Sequence, residues 1–314
     1  MKLALKLVAC LSLALVACEK KSDAPAKPAP AAPAPGSAAT PTPGSAAAPT
    51  PTPTPGSAAA PGSTAAAPAD GIEFPAQVHK VGDKVTETEE RSMVAKLEVS
   101  PTQQLEARST EQRTELKEIV ALDGENIAKL KVSYTTVTVQ ETLNGKPRAK
   151  PTPTVGKTYL VWREGGELKV SYEDGSAPSA AEIKEVRKGN RGVGRPEPLE
   201  KIVAGHVWKV GEPFAFTPEQ LAEMNQNMGG DDEPSLTGMS LTLQTADDAV
   251  ATMAMTMAMG MKGPDGDMTF ELAGTVKLDR KTGRPLEVGG TGPFSGVAKV
   301  KMAGTMTMKT SYAY

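Results

Sequence analysis

Val250-Ala251-Thr252-Met253-Ala254-Met255-Thr256-Met257-Ala258-Met259-Gly260-Met261 puts a methionine at every second position and fills the alternate ones with Ala, Thr and Gly. Period two is the signature of a β-strand, whose successive side chains point to opposite faces. Five thioethers therefore share one face, with same-side neighbours about 6.6 Å apart. The same alternation extends outward through the chain. It marks Val85–Val99, Thr114–Leu122, Ile127–Val139, Tyr159–Arg163, Leu168–Tyr172, Leu236–Thr245, Met268–Leu278 and Val297–Met308 as half-buried antiparallel strands. Turn residues punctuate them at Asp123-Gly124, Asn144-Gly145, Gly165-Gly166, Asp265-Gly266 and Lys281-Thr282-Gly283.

Helix signals are few. Ser179-Ala180-Ala181-Glu182 is a capping box, with the helix expected to run to Lys188 and stop at Gly189. Thr217-Pro218-Glu219-Gln220 orders a cap, a first-turn proline and a capping-box glutamine ahead of Gly229. Pro198 to Ala204 is a shorter candidate.

The β-rich part also repeats itself. Lys80-Val81-Gly82-Asp83 returns as Lys209-Val210-Gly211-Glu212, and a histidine precedes each copy (His79, His206). Leu122 to Ala128 is echoed by Thr245 to Ala251. The hairpin from Gly156 through Gly165-Gly166 to Val170 is echoed by that from Gly274 through Gly283 to Val288. Three anchors in one order argue for duplication; the competing explanation is that β-hairpins share turn chemistry. The expected fold is mainly β. Duplicated antiparallel sheets, residues 71–190 and 191–314, curl into a half-open barrel or trough, with two or three short helices between or plugging the halves.

Ahead of this part lies a chain of another kind. Residues 19–70 are almost wholly Ala, Pro, Gly, Ser and Thr, and Gly44-Ser45-Ala46-Ala47-Ala48-Pro49 recurs at Gly56 to Pro61. Such a segment cannot bury enough surface to offset its ordering entropy, and is expected to stay disordered. At ~3.1 Å per residue its contour reaches about 150 Å, against ~40 Å for a flexible coil. Before it, Lys2 and Lys6 flank a short apolar run that ends in Leu15-Val16-Ala17-Cys18. A positive start, a short apolar core and small residues at the end make a secretory leader. The run is too short to span a bilayer of roughly 30 Å.

These residues resemble the lipobox of bacterial lipoproteins. The resemblance implies removal of residues 1–17 and lipid attachment at Cys18, a membrane partner reached through the anchor, and residues 18–70 as a tether. Leu7-Val8-Ala9-Cys10 repeats the four letters, but cleavage there would leave almost no apolar core. Glu19, not aspartate, follows Cys18, which by the same resemblance points to the outer membrane. Cys10 and Cys18 are the only cysteines. The folded part thus has no disulfide and no thiolate chemistry, and must be stabilised by its core. Residues 78–314 are similar to the LolA-type lipoprotein-carrier fold, and to uncharacterised lipoprotein domains whose strands start at Val-Gly-Asp or Val-Gly-Glu. That similarity implies a concave apolar surface able to hold an acyl chain, and carries no residue-level site.

The methionines admit three readings. Met253, Met255, Met257, Met259 and Met261, with Met302, Met306 and Met308 as a sparser second row, are plain core, or an adaptable lining for an apolar ligand, or a soft-metal site. Thioethers select Cu(I), and Met255, Met257, Met306 and Met308 are the candidate ligands. Two on one strand are too far apart to share an ion, so a cross-strand methionine is required, with His79 or His206 in support.

Other chemistry is absent or weak. The two histidines read as structural, since each leads into a Lys-Val-Gly strand start. Gly156-Lys157-Thr158 lacks the leading glycine of a phosphate loop and precedes a strand. Gly189, Gly192 and Gly194 read as a helix stop. Asp231-Asp232-Glu233 and Asp265-Gly266-Asp267 lack the twelve-residue calcium-loop pattern. Arg187, Lys188, Arg191 and Arg195 form a basic cluster read as a solvated loop. A formal net charge of −2 argues against nucleic acid as a partner. The expected function is a non-enzymatic outer-membrane lipoprotein, with no cofactor, that binds an apolar small molecule or lipid. Alternatives are a Cu(I)-binding periplasmic protein and a structural or interaction module of the envelope.

Overall fold

The computed structural model describes residues 71–314 except 101, 149, 151, 229–233, 264–265 and 299. The leader, the tether and Cys18 lie outside the described residues, as do Gly229, Asp231 to Glu233 and Asp265. Twelve strands form one antiparallel sheet that does not close into a barrel: β1 Lys84–Ser100, β2 Gln103–Asp123, β3 Asn126–Leu143, β4 Lys146–Arg148, β5 Thr158–Glu164, β6 Glu167–Ser171, β7 Pro213–Ala215, β8 Ser235–Ala246, β9 Val250–Gly263, β10 Gly266–Asp279, β11 Pro285–Ala298 and β12 Lys301–Ala313. Their spatial order is β6-β5-β3-β2-β1-β12-β11-β10-β9-β8-β7, with β4 beside β3. Three helices accompany them: α1 Ala180–Gly189, α2 Pro198–Ala204 and α3 Pro218–Met228.

The expected pair of sheets is thus a single sheet, because β1 and β12 pair along almost their whole length, from Thr86↔Ala313 to Glu98↔Lys301. The sequence anchors fall at equivalent places in it. Gly82 donates its amide to Ile119 O (2.8 Å) and Gly211 to Leu243 O (2.9 Å). Both glycines have positive φ, 90° and 78°, where a side chain is strained. Asp83 and Glu212 each donate an amide to the carbonyl of the lysine three residues back. The hairpins β5–β6 and β10–β11 match in turn. On that correspondence the first half has no counterpart of β12. Helix α1 follows β6 instead and packs beside it, so among the described residues no partner strand closes the sheet on that side.

Two corrections concern the last strands. Val297–Met308 is not one strand: the chain reverses between Ala298 and Lys301, and β12 begins there. The alternation runs unbroken through the reversal, so no turn residue betrays it. β11 beyond Val288 escapes the sequence reading because Gly289, Gly290, Gly292, Pro293 and Gly296 look unlike a strand. The glycines are required by close packing of backbones. A Cβ on Gly292 would lie 1.8 Å from Glu271 O, and one on Gly304 of β12 2.0 Å from Val94 O. Glycine at such points lets a sheet bend sharply.

The helices sit where their caps predict. In α1, Ser179 and Glu182 form the reciprocal capping box, and Asn190 caps the far end. In α3, Thr217 N donates to Gln220 Oε1 (2.9 Å) and Gln220 N to Thr217 Oγ1 (3.3 Å). All three helices pack on one face of the sheet. Val186 of α1 joins Leu130, Val132, Tyr134, Tyr159 and Val161 in one apolar cluster. Leu199 and Val203 of α2 and Leu221, Met224 and Met228 of α3 join the sheet methionines in a larger one. The outer face carries hydroxyl pairs across neighbouring strands, Ser240–Thr256, Thr269–Ser295 and Thr291–Thr307. An outer face that carries polar pairs is the reverse of a membrane-spanning barrel, whose lipid-facing side is apolar.

Candidate functional site: the inner face of the sheet

The inner face is built by alternation, and its chemistry changes along the strands. Three rows across β12, β1 and β2 are apolar or small: Met302–Leu97–Leu105, Gly304–Ala95–Ala107 and Met306–Met93–Ser109. The next three are charged: Met308–Arg91–Glu111, Thr310–Glu89–Arg113 and Tyr312–Glu87–Glu115. The switch falls between two adjacent inward positions of β1, Met93 and Arg91.

On the apolar side lies the methionine ladder of β9. Met253, Met255, Met257 and Met259 are 0–4% exposed, and Met261 is half-buried. They share one cluster with Met239, Met268, Met302, Met306 and Met308, with Phe270 stacked on Phe294, and with Met224 and Met228 of α3. Three methionine pairs stand directly opposite one another: Met239–Met257, Met261–Met268 and Met93–Met306. The four candidate copper ligands are not brought together. β10 and β11 separate Met255 and Met257 from Met306 and Met308, a gap of three strand spacings, about 14 Å. Nor do the histidines reach them. His206 packs its ring against Trp208 and Phe214 (4.6 Å to each centroid), and His79 Nε2 lies 3.4 Å from Glu200 Oε2.

On the charged side, seven ionisable residues of β1 and β2 are at most 8% exposed: Glu87, Glu89, Arg91, Glu111, Arg113, Glu115 and Lys117. Four carboxylates and three cations pair with one another. Arg91 Nε donates to Glu89 Oε1 (2.8 Å). Arg113 donates to Glu111 (3.0 Å), and pairs with Glu115 and with Glu185 of α1. Lys117 pairs with Glu87 and Glu115. Burial opposes the charge on Arg113, yet Glu115, Glu185 and Glu111 together hold its pKa well above the ordinary arginine value. Burial likewise opposes the charge on Glu111, and Arg113 and Arg91 hold its carboxyl below the usual range. Sequence reading missed this belt because charges at period two suggest a solvated face. The available signal was their alternating sign, Glu111, Arg113, Glu115, Lys117.

A cavity of about 110 Å3 opens beside the belt, lined in part by His79, Lys117, Ile119, Leu130, Glu200 and Tyr312. A second, of about 290 Å3, shares His79, Ile127 and Glu200 with it. The Tyr312 hydroxyl is buried and has no hydrogen-bond partner among the described residues. The basic cluster is dispersed. Arg195 donates to Gln226 O in α3, the Arg191 carbonyl accepts from Arg163, and Arg187 and Lys188 close α1.

No family model matches the chain, and no curated protein matches it. Among solved structures it is similar to "Lipid-protein interactions in lipovitellin", at 7% identity and a TM-score of 0.38. The match covers 74% of this chain and 25% of that one, so the chain spans about a quarter of that protein's length.

Proposed function

We propose that the protein is a non-enzymatic bacterial lipoprotein, anchored to the outer membrane by lipid on Cys18, that binds an apolar ligand or lipid moiety on the inner face of its sheet. One observation carries the ligand reading. The sheet is unclosed, and its covered interior is rich in methionine, with Met253, Met255, Met257 and Met259 on the sheet and Met224 and Met228 on α3 in one apolar cluster. Unbranched thioether side chains repack at low cost, so such a contact can open and re-form around a greasy guest. Among the described residues, side-chain hydrogen bonds tie the cover to its surroundings at Asn225, Gln226 and Asn227. Asn225 of α3 exchanges two hydrogen bonds with the Leu236 backbone, and Asn227 donates to Pro196 O. Admission of a ligand requires α3 to lift from β8. The anchor rests on the lipobox residues Leu15 to Cys18 and on the tether that follows them.

Cu(I) binding is kept as a second reading because Met239 and Met257 are directly opposed across β8 and β9, the cross-strand arrangement a thioether site requires. Native mass spectrometry of the Cys18→Ala chain, purified without detergent, separates the readings. Co-purifying acyl lipid supports the first and stoichiometric Cu(I) under reducing conditions the second. A bare chain contradicts both and leaves a structural module of the envelope. Labelled palmitate tests the anchor: it should enter the wild-type chain and not Cys18→Ala.

A further inference from the structure

The inner face is graded, and the grade has a polar terminus. Along β12 the inward side chains run Met302, Met306, Met308, Thr310, Tyr312, so Tyr312 lies about 13 Å beyond Met308. Its hydroxyl is the last polar group of the row. It is buried and has no acceptor among the described residues, and Tyr312 belongs to the lining of the 110 Å3 cavity. A buried donor without a partner is costly, so a guest acceptor placed there would be rewarded. The charges around the cavity cancel. Asp83, Glu87 and Glu200 supply three carboxylates, and Lys84, Lys117 and Arg284 three cations. Lys117 pairs with Glu87, and Arg284 with Asp83 at 2.9 Å. A balanced lining offers no net attraction to an ion, whose desolvation would go uncompensated.

We infer that this cavity is the headgroup subsite of the ligand, and that it takes a neutral oxygen acceptor, such as the ester carbonyl of an uncharged acylglycerol, on the Tyr312 hydroxyl. The acyl chain then runs along the β12 row towards Met308 and Met306. This rests on the apolar-ligand reading above and adds the chemistry of the polar end. Burial first, and Glu87 second, push the Tyr312 phenol well above its ordinary pKa, so it remains a donor throughout the physiological range.

The test uses the processed chain without its lipid, residues 19–314, and diphenylhexatriene, a fluorescent hydrocarbon with no polar atom, displaced by monoolein or by oleate at pH 9. With Tyr312 in place this chain should bind all three, with monoolein competing at least fivefold better than ionised oleate. Tyr312→Phe keeps the ring and removes the donor. It should weaken monoolein about fivefold and leave diphenylhexatriene unchanged. Unchanged monoolein competition in Tyr312→Phe, or an equal loss for both probes, overturns the subsite, as does tighter binding of oleate than of monoolein. If diphenylhexatriene fails to bind the chain with Tyr312 in place, the apolar-ligand reading itself falls, and the subsite with it.

Discussion

Met93 of β1 stands directly opposite Met306 of β12, and the pairing line on which they lie joins the two halves of the chain. The halves are read in tandem along the sheet, the last strand of the second beside the first strand of the first. Backbone approach is tight here, since a Cβ on Gly304 would meet Val94 O at 2.0 Å and the Phe294 ring at 2.7 Å. Gly304→Val should therefore cost about 3 kcal/mol in urea unfolding. Thr305→Val, one residue on and exposed, should stay within about 0.5 kcal/mol. Equal effects at the two positions would show that the seam tolerates a side chain.

The charged belt makes a second prediction. Removing Arg113 as Arg113→Met leaves Glu111, Glu115 and Glu185 short of the counter-charge they share. Loss of one partner from a buried network costs roughly 3–5 kcal/mol, whereas replacing charge on both sides by apolar groups is far milder. Adding Glu115→Leu to Arg113→Met should recover part of the loss in chemical denaturation. A double variant less stable than Arg113→Met would contradict this picture of mutual neutralisation.

Glu182 should make the first half sensitive to acid. Its carboxylate accepts from Lys157 (2.8 Å), Ser179 (2.5 Å), Tyr172 (2.6 Å) and Tyr159 (2.8 Å). Bonds from Lys157, Ser179 and Tyr172, in that order, outweigh burial and hold its pKa well below the ordinary 4.5. A carboxyl depressed in the folded state stabilises above its unfolded pKa, and that contribution fades as pH falls towards the folded value. Wild type should thus lose stability progressively on acidification below about pH 5. Glu182→Gln should be about 2 kcal/mol less stable at pH 7 and show a flatter acid limb. An unchanged pH profile in Glu182→Gln would remove Glu182 from this role.

Met255→Leu with Met257→Leu separates core, lining and metal. The exchange nearly conserves volume and should cost under about 1.5 kcal/mol per site. Binding of diphenylhexatriene should survive it. Any Cu(I) uptake that depends on the Met239–Met257 opposition should vanish. Copper uptake that persists in the double variant excludes these thioethers as ligands.

The alternation of Val250 to Met261 and the turn pairs made most strands legible before any coordinates, as the capping boxes at Ser179 and Thr217 did for two helices. What escaped obeyed rules that local pattern does not carry. β11 is a strand whose glycines are demanded by the backbones of β10 and β12, so its own sequence argues against it. The turn after Ala298 is hidden by alternation that continues across it. The belt on β1 and β2 is charged yet faces inward, because the partners that neutralise it come from neighbouring strands and from α1. The methionine face was legible as a face. Its cover was not, because which helix lies over which strand depends on the long-range pairing of β8.

The central claim is that an acyl chain occupies the inner face, and photo-crosslinking reads this residue by residue. A diazirine-bearing acylglycerol would be incubated with the Cys18→Ala chain, irradiated, and its adducts located by peptide mass spectrometry. Adducts on inward positions of β9 and β12, such as Met255, Met257, Met306 and Met308, and not on the outward Thr256, Thr305 and Thr307, are the predicted result. Adducts confined to the outer face, or scattered without regard to the alternation, would contradict the account.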